Sequence, residues 1–186
     1  MHRYLGCVLV VFDQFDLLLF FQSLDSTNRD ISMIEKTIIK LLRTDANNPD
    51  FKELIILLDA GLAISDGEDH QFYIQFNKTD EIRYVIVAYE NSKAVACGAI
   101  KKYDENTMEV KRMFTSIKSR GKGLASMILA ELQNWAKEIN YTRLILETGI
   151  RQKEAISLYT KTNFILIPNY GQYEGMETSI CFEKKL

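Results

Sequence analysis

The densest chemistry in the chain lies in one short run, Ser119-Arg120-Gly121-Lys122-Gly123-Leu124-Ala125. Two glycines interrupt the passage from a β-forming segment to an amphipathic one. There the backbone can turn sharply and approach a ligand with no Cβ in the way. The free N–H groups of a first helical turn would point at the same spot, where the helix dipole favours an anion. Arg120 and Lys122 add positive charge. A phosphate group is the ligand that suits such a junction. Two well-known phosphate loops are excluded. A Walker loop needs GxxxxGK followed by Ser or Thr, whereas Gly121-Lys122 runs into Gly123 and lacks the upstream glycine. A dinucleotide fingerprint needs glycine where Ser126 stands and belongs after the first strand. For the loop taken alone, a solvent-exposed basic helix cap is the structural alternative.

Composition narrows what can surround this loop. The chain has 186 residues, 47% hydrophobic and 26% charged, which excludes disorder over most of its length and supplies a core for one domain. Its 23 Lys+Arg against 25 Asp+Glu leave a net charge of −2, so there is no broad basic footprint and no nucleic-acid partner is expected. Cys7, Cys97 and Cys181 form neither a disulfide framework nor a CxxC pair, and a reducing, cytoplasmic compartment is the expectation. His2 and His70 are the only histidines. No metal is expected, and a Ser-His-Asp or Cys-His triad is hard to assemble.

The elements that must position the loop alternate between strands and helices. Ile34 to Leu42 (IEKTIIKLL) reads as a strand, DANNP breaks it, and Asp50 after Pro49 starts a helix with Leu54, Leu57, Leu58 and Leu62 at helical spacing. Ser65 to His70 is a polar turn and FYIQF a short helix. Glu81–Glu90, Lys93–Tyr103 and Thr107–Ser116 form a meander, turning at Asn91-Ser92 and at Asp104-Glu105-Asn106. After the loop, Leu124, Ile128, Leu132, Trp135 and Ile139 step by 4, 4, 3 and 4 along one helical stripe. Arg143–Thr148 is a strand, and QKEAISLYTKT a helix ended by Asn163, a residue that tolerates the left-handed conformation. FILIP and TSICFEKK close as strands. The class is α/β with a mixed sheet.

The first thirty-two residues are of another kind. Tyr4 to Phe21 reads YLGCVLVVFDQFDLLLFF, and no lysine precedes Lys36. Asp13 and Asp16 interrupt the run, each at a cost of roughly 2.5–3.5 kcal/mol near a bilayer centre, so no membrane span is expected. No small-x-small site follows that would end a secretory signal. The expectation is an N-terminal apolar extension and linker over 1–32, with a start codon misassigned upstream of Met33 favoured over a helix packed on the domain surface or a membrane tether, and a second domain over 33–186.

Two signatures together resemble a known family. Arg120-x-x-Gly123-x-Ala125 matches the R/Q-x-x-G-x-G/A pyrophosphate loop of the GCN5-related N-acetyltransferases (GNAT). Leu144-x-Leu146-x-Thr148-x-x-x-Gln152-x-x-Ala155-x-x-Leu158-Tyr159 resembles that family's second signature, continued by Lys161 and Phe164. The departures are Ile117 for a frequent Pro, Thr148 and Gln152 for a common Val and Asn, and Asn163 for the usual Gly. The resemblance covers about the last 150 residues. It implies a mixed, mainly antiparallel central sheet flanked by helices, with acetyl-CoA as cosubstrate and no metal. Its activity would be acetyl transfer to a primary amine, on a small molecule or a peptide, by direct attack on the thioester. A non-catalytic acyl-CoA-binding module with the same fold is the alternative, and a homodimer is an open expectation.

The resemblance also distributes roles. Main-chain groups of Met113 and Thr115 would hold pantetheine, and Arg120, Gly121, Lys122, Gly123, Leu124 and Ala125 the pyrophosphate. Gln152 stands where an asparagine often helps hold the pantetheine arm. Tyr159 matches the tyrosine that approaches the CoA sulfur, with an ordinary half-buried aromatic as the competing reading. An ammonium of pKa near 10.4 must lose a proton before attack. Glu109 is the candidate base, against an ion pair with Lys111 or Arg112, and Glu147 the alternative. Asp66, Glu68, Asp69 and His70, with Asn169 to Tyr173, would shape an acidic, tyrosine-lined acceptor site for a cationic amine, against a solvated charge run plus turn aromatics.

Overall fold

The computed structural model describes Leu9–Val10, residues 37–79 and residues 82–186. The expected boundary between residues 32 and 33, Cys7 and His2 lie outside the described residues. Among the described residues eight strands form one sheet in the order β1-β2-β3-β4-β5-β6-β8-β7. They are β1 (Leu9–Val10), β2 (Ile38–Thr44), β3 (Tyr84–Glu90), β4 (Lys93–Lys102), β5 (Thr107–Thr115), β6 (Arg143–Gly149), β7 (Ile165–Ile167) and β8 (Ser179–Lys185). The helices are α1 (Pro49–Asp66), the one-turn α2 (His70–Tyr73), α3 (Leu124–Glu138) and α4 (Lys153–Lys161). Pairing is antiparallel except between β1 and β2 and between β5 and β6. The expected mixed, mainly antiparallel sheet flanked by helices is what forms. Among the described residues no helix is long and apolar enough to cross a membrane.

Alternation along the strands gives each face of the sheet its own core. Val85, Val87, Cys97 and Ala99 pack under Phe51 and Leu54 of α1. On the opposite face, Ile86, Ile100, Met108 and Val110 pack against Leu124, Ile128 and Leu132 of α3 and Tyr159 of α4. The stripe expected on α3 is therefore the one buried. On α1 it is rotated: Leu57 is 55% exposed, because Phe51 and Leu54 meet the sheet while Leu58 and Leu62 face the cleft described below. The polar stretch expected as a turn over 65–70 is wound further than that reading, with α1 running to Asp66 and a 3-10 turn at Gly67–Asp69 leading into α2. The strand expected over Ile34 to Leu42 runs two residues past its expected end, finishing at Thr44.

Two features open the sheet where the loop lies. β5 and β6 pair in parallel only from Thr107–Arg143 to Glu109–Ile145, and beyond that register they part. On its other side β5 carries a bulge. Cys97 pairs with Phe114 but Ala99 with Lys111, so two residues, Arg112 and Met113, oppose Gly98 alone. Arg112 takes φ +59°, a left-handed conformation costing roughly 1–2 kcal/mol for a residue with a Cβ. Its buried guanidinium is held by Asp59 of α1, which fixes the bulge against the helix. Gly98 is needed opposite: a Cβ there would lie 2.3 Å from Met113 Sδ and 2.7 Å from Ile128 Cγ2.

Candidate active site

The loop between β5 and α3 begins with a 3-10 turn, Ile117–Ser119, at the place where the family often has proline. Ser119 is buried and donates to Glu90 Oε2 at 2.8 Å, tying the loop to the end of β3. Gly121 and Gly123 both adopt positive φ, +76° and +81°. Gly123 is the N-cap of α3 and no side chain caps that helix, so the first-turn N–H groups from Leu124 to Ser126 stay open toward the loop. An anion is what such a helix start binds best.

Around this turn Met113, Thr115, Arg120, Gly121, Gly123, Leu124, Ala125 and Gln152 line one cleft. Its other walls are Leu58 and Leu62 of α1 and Ala155 and Leu158 of α4. Lys122 does not line it. Its ammonium is bonded to Glu90, and with Ser119 this bond holds the Glu90 carboxyl below the usual carboxylate range. Arg120 Nε donates to the Thr115 carbonyl at 3.2 Å.

A second chamber continues the first, sharing Leu58, Leu62, Met113 and Gln152. Tyr159 lines it, buried against Phe164 and Phe182, and its hydroxyl has no hydrogen-bond partner among the described residues. Burial, with Glu147 close by, pushes the phenol well above its ordinary pKa, so it stays protonated. Glu147 also lines this chamber. Glu109 does not: its Oε1 accepts from Tyr170 OH at 3.0 Å and from Lys111 Nζ at 3.4 Å. The ion pair with Lys111 weighed against a base role thus exists, while Arg112 pairs with Asp59 instead.

Of the residues expected around the acceptor, Asp66 and Tyr173 line the chamber, together with Tyr73 and Asn77. His70 stands off the chamber wall, its Nδ1 3.6 Å from Asp66, and Glu68 is exposed. Tyr170 serves Glu109, Gln172 and Gly171 are exposed, and Asn169 Nδ2 binds the Met176 and Ser179 carbonyls. Sequence reasoning missed Tyr73, Ser179, Asp59 and Arg151. Tyr73 OH lies 2.8 Å from Ser179 Oγ, and Ser179 Oγ donates to Glu147 Oε1 at 2.7 Å. Arg151 Nη1 donates to the Ser65 and Asp66 carbonyls, strapping the β6–α4 connection to the end of α1. Only the pairing of β6 with β8 brings Ser179 to this place, and no local pattern announces it.

Comparison with known proteins agrees with this geometry. Residues 51–164 match the model of the acetyltransferase (GNAT) family. The chain is 33% identical over 119 residues to an IAA acetyltransferase of Azospirillum brasilense, covering 63% of this chain and 77% of that protein. A Klebsiella pneumoniae structure assigned to the acyl-CoA N-acyltransferases superposes with a TM-score of 0.67 at 28% identity, over 80% of this chain and 97% of the other. A GNAT family acetyltransferase from Elizabethkingia anophelis with acetyl-CoA bound has the same fold, with a TM-score of 0.57 at 20% identity over 80% and 98%. With both signature segments inside the matched residues, the chain belongs to the GNAT family and is an acetyl-CoA-dependent N-acetyltransferase.

Proposed function

We propose that the acceptor is a primary amine, on a small molecule or a peptide, and that its nitrogen attacks the thioester directly. The observation that carries this reading is the parting of β5 from β6 beyond Glu109, which leaves one edge of β5 without a strand partner between the glycine loop and Tyr159. Main-chain groups of Met113 and Thr115 on that edge suit the amides of pantetheine. Arg120 to Ala125 provide the main-chain cradle for the diphosphate, with Lys122 contributing its backbone. Gln152, the N-cap of α4, lies where the two chambers meet, and Thr148 Oγ1 donates to its Oε1 at 3.1 Å.

Held this way, the thioester lies between the chambers and the amine enters past Asp66, Tyr73 and Tyr173, a wall that suits a cation. Tyr159, kept protonated by its surroundings, supplies a donor to the departing sulfur. An acyl-enzyme route finds no support in the described thiols: Cys97 is fully buried, with its pKa pushed up to about 12 by burial, and Cys181 is buried and pushed up to about 11. Initial-rate kinetics of CoA release against acetyl-CoA and amine test the reading. Intersecting reciprocal plots are expected. Parallel lines, the signature of a covalent acetyl-enzyme, would overturn it.

A further inference from the structure

Amine acetylation needs a group to take the ammonium's proton, and two carboxyls lie on adjacent strands near the acceptor chamber. Glu109 is closed in by Tyr170 and Lys111 and does not reach the chamber wall. Glu147 is part of that wall. Its Oε1 accepts from Ser179 Oγ at 2.7 Å, and the same Ser179 oxygen lies 2.8 Å from Tyr73 OH, which is also 3.0 Å from Thr178 Oγ1. No hydrogen bond among the described residues engages Oε2. One oxygen is therefore fixed and the other is left for a ligand.

We propose that Glu147 is the general base, and that Ser179 and Tyr73 are the positioning residues that aim it. The proposal rests on the reading of a primary-amine acceptor. One proton passes from the acceptor's ammonium to Glu147. The freed lone pair forms the C–N bond, the C–S bond breaks, and the nitrogen's second proton reaches the sulfur by way of the Tyr159 hydroxyl. The proton on Glu147 then returns to solvent. Atoms and charge balance as acetyl-CoA plus ammonium giving amide, thiol and one proton.

The surroundings are consistent with this task. The Glu147 carboxyl is raised to about 7: burial pushes it up most, the Ser179 hydrogen bond and Lys111 of β5 pull it down, and Glu109 of β5 and Asp66 of α1 push it up. Tyr159 of α4, Tyr173, Cys181 of β8 and the Arg112 guanidinium also surround it; burial is the main cause that raises Tyr159, Tyr173 and Cys181, and this carboxyl adds to each. A base that titrates near the working pH combines a useful ionised fraction with real proton affinity.

The test uses the full chain and a panel of tyramine, spermidine, kanamycin, glutamate and a lysyl peptide, with CoA release as the readout. Glu147→Gln is expected to lower kcat on the order of 100-fold with acetyl-CoA affinity held within about twofold. Ser179→Ala is expected to move the acidic limb of the kcat/KM profile up by about one pH unit, because a charge-assisted donor to the carboxylate is gone. Ser179→Thr, which keeps the hydroxyl, should restore the limb. A larger loss in Glu109→Gln than in Glu147→Gln, or a Ser179→Ala profile that falls without moving, would overturn the proposal. Carbon-13 NMR of the glutamate carboxyls follows the same titration without any acceptor. A Glu147 signal that titrates as an exposed glutamate and ignores Ser179→Ala would overturn the proposal equally. Wild-type enzyme silent with every amine would defeat the primary-amine reading, and the carboxyl titration would still decide the role of Ser179.

Discussion

The two ends of the cleft are built from different materials. At the end proposed above to hold the acyl donor, the groups on offer are main chain: the uncapped start of α3, the glycine turn and the free edge of β5. At the acceptor end they are side chains: Tyr159, Glu147, Tyr73, Tyr173 and Asp66. Helix α1 shows that the open start of α3 is no general habit of the fold. There Asn48 Oδ1 accepts from Phe51 N at 2.9 Å and Pro49 has no N–H to satisfy. One helix closes its N-terminus with its own residues, and the other leaves it uncapped, as the proposed diphosphate site requires. A diphosphate offers the same oxygens in every turnover, so backbone geometry suffices to bind it. An acceptor differs from enzyme to enzyme, and side chains can change with it.

That contrast implies that backbone changes should break the donor end and leave the acceptor end intact. Gly123→Glu is expected to weaken acetyl-CoA binding by at least roughly 100-fold. It forces a Cβ into the left-handed region and sets a carboxylate where a diphosphate is to lie. A Cβ at Gly123 meets nothing within 4 Å, so the fold itself should survive. Calorimetry against acetyl-CoA on a variant of native circular dichroism checks this. Undiminished binding would remove the loop from the donor site.

At the other end, removal of one oxygen atom should spare binding and cost turnover. Tyr159→Phe is expected to lower kcat by roughly 10- to 100-fold with the acetyl-CoA dissociation constant unchanged. The ring keeps its contacts with Phe164 and Phe182, so stability should hardly move. Unchanged turnover would leave Tyr159 as a core aromatic only.

Glu147 links chemistry to stability in a direction that can be worked out. Its carboxyl stands at about 7 in the folded chain, above the roughly 4.3 of an unfolded one. A raised carboxyl favours the protonated native state, so its contribution is whole below about pH 4 and is lost as pH rises to about 7. Relative to Glu147→Gln, wild type should lose on the order of 2–3 kcal/mol of unfolding free energy across that window. Denaturant titrations at pH 5 and pH 8 measure it. A constant difference would show that the carboxyl is not held in a costly environment.

The donor end was legible from local sequence because main-chain sites need particular residues in a row. Arg120-x-x-Gly123-x-Ala125 lies in one turn, and the stripe from Leu124 to Leu132 announces the helix behind it. The helix that carries Tyr159 was legible for a similar reason, since it has its own signature. The acceptor end was only half visible. Glu147 meets Ser179 across a β6–β8 ladder, and Tyr73 arrives from a one-turn helix, so the partners are 32 and 106 residues apart. The bulge is similar: nothing in Val110-Lys111-Arg112-Met113 marks Arg112 for φ +59°, and the partner of its guanidinium, Asp59, lies on a distant helix. The ionic partner of Lys122 was hidden too, and that hidden contact bears on how far charge serves the donor end.

If main-chain groups bind the diphosphate, the two cations of the glycine turn, Arg120 and Lys122, should matter little. Lys122 is the sharper case, because its ammonium is already held by Glu90, which Ser119 holds in turn. Lys122→Ala removes a positive charge but also leaves the Glu90 carboxylate without its partner beside the loop. The second effect is the one that reaches the diphosphate, as a repulsion screened by solvent. The expected weakening of acetyl-CoA binding is about threefold, in keeping with a half-exposed ion pair. Glu90→Gln with Lys122→Ala should return affinity to within about twofold of wild type, since neither charge then remains. The coupling should shrink between 50 mM and 500 mM salt. A double variant as weak as the single one would assign the Lys122 ammonium a direct grip on the diphosphate, and the donor end would then depend on side chains as the acceptor end does.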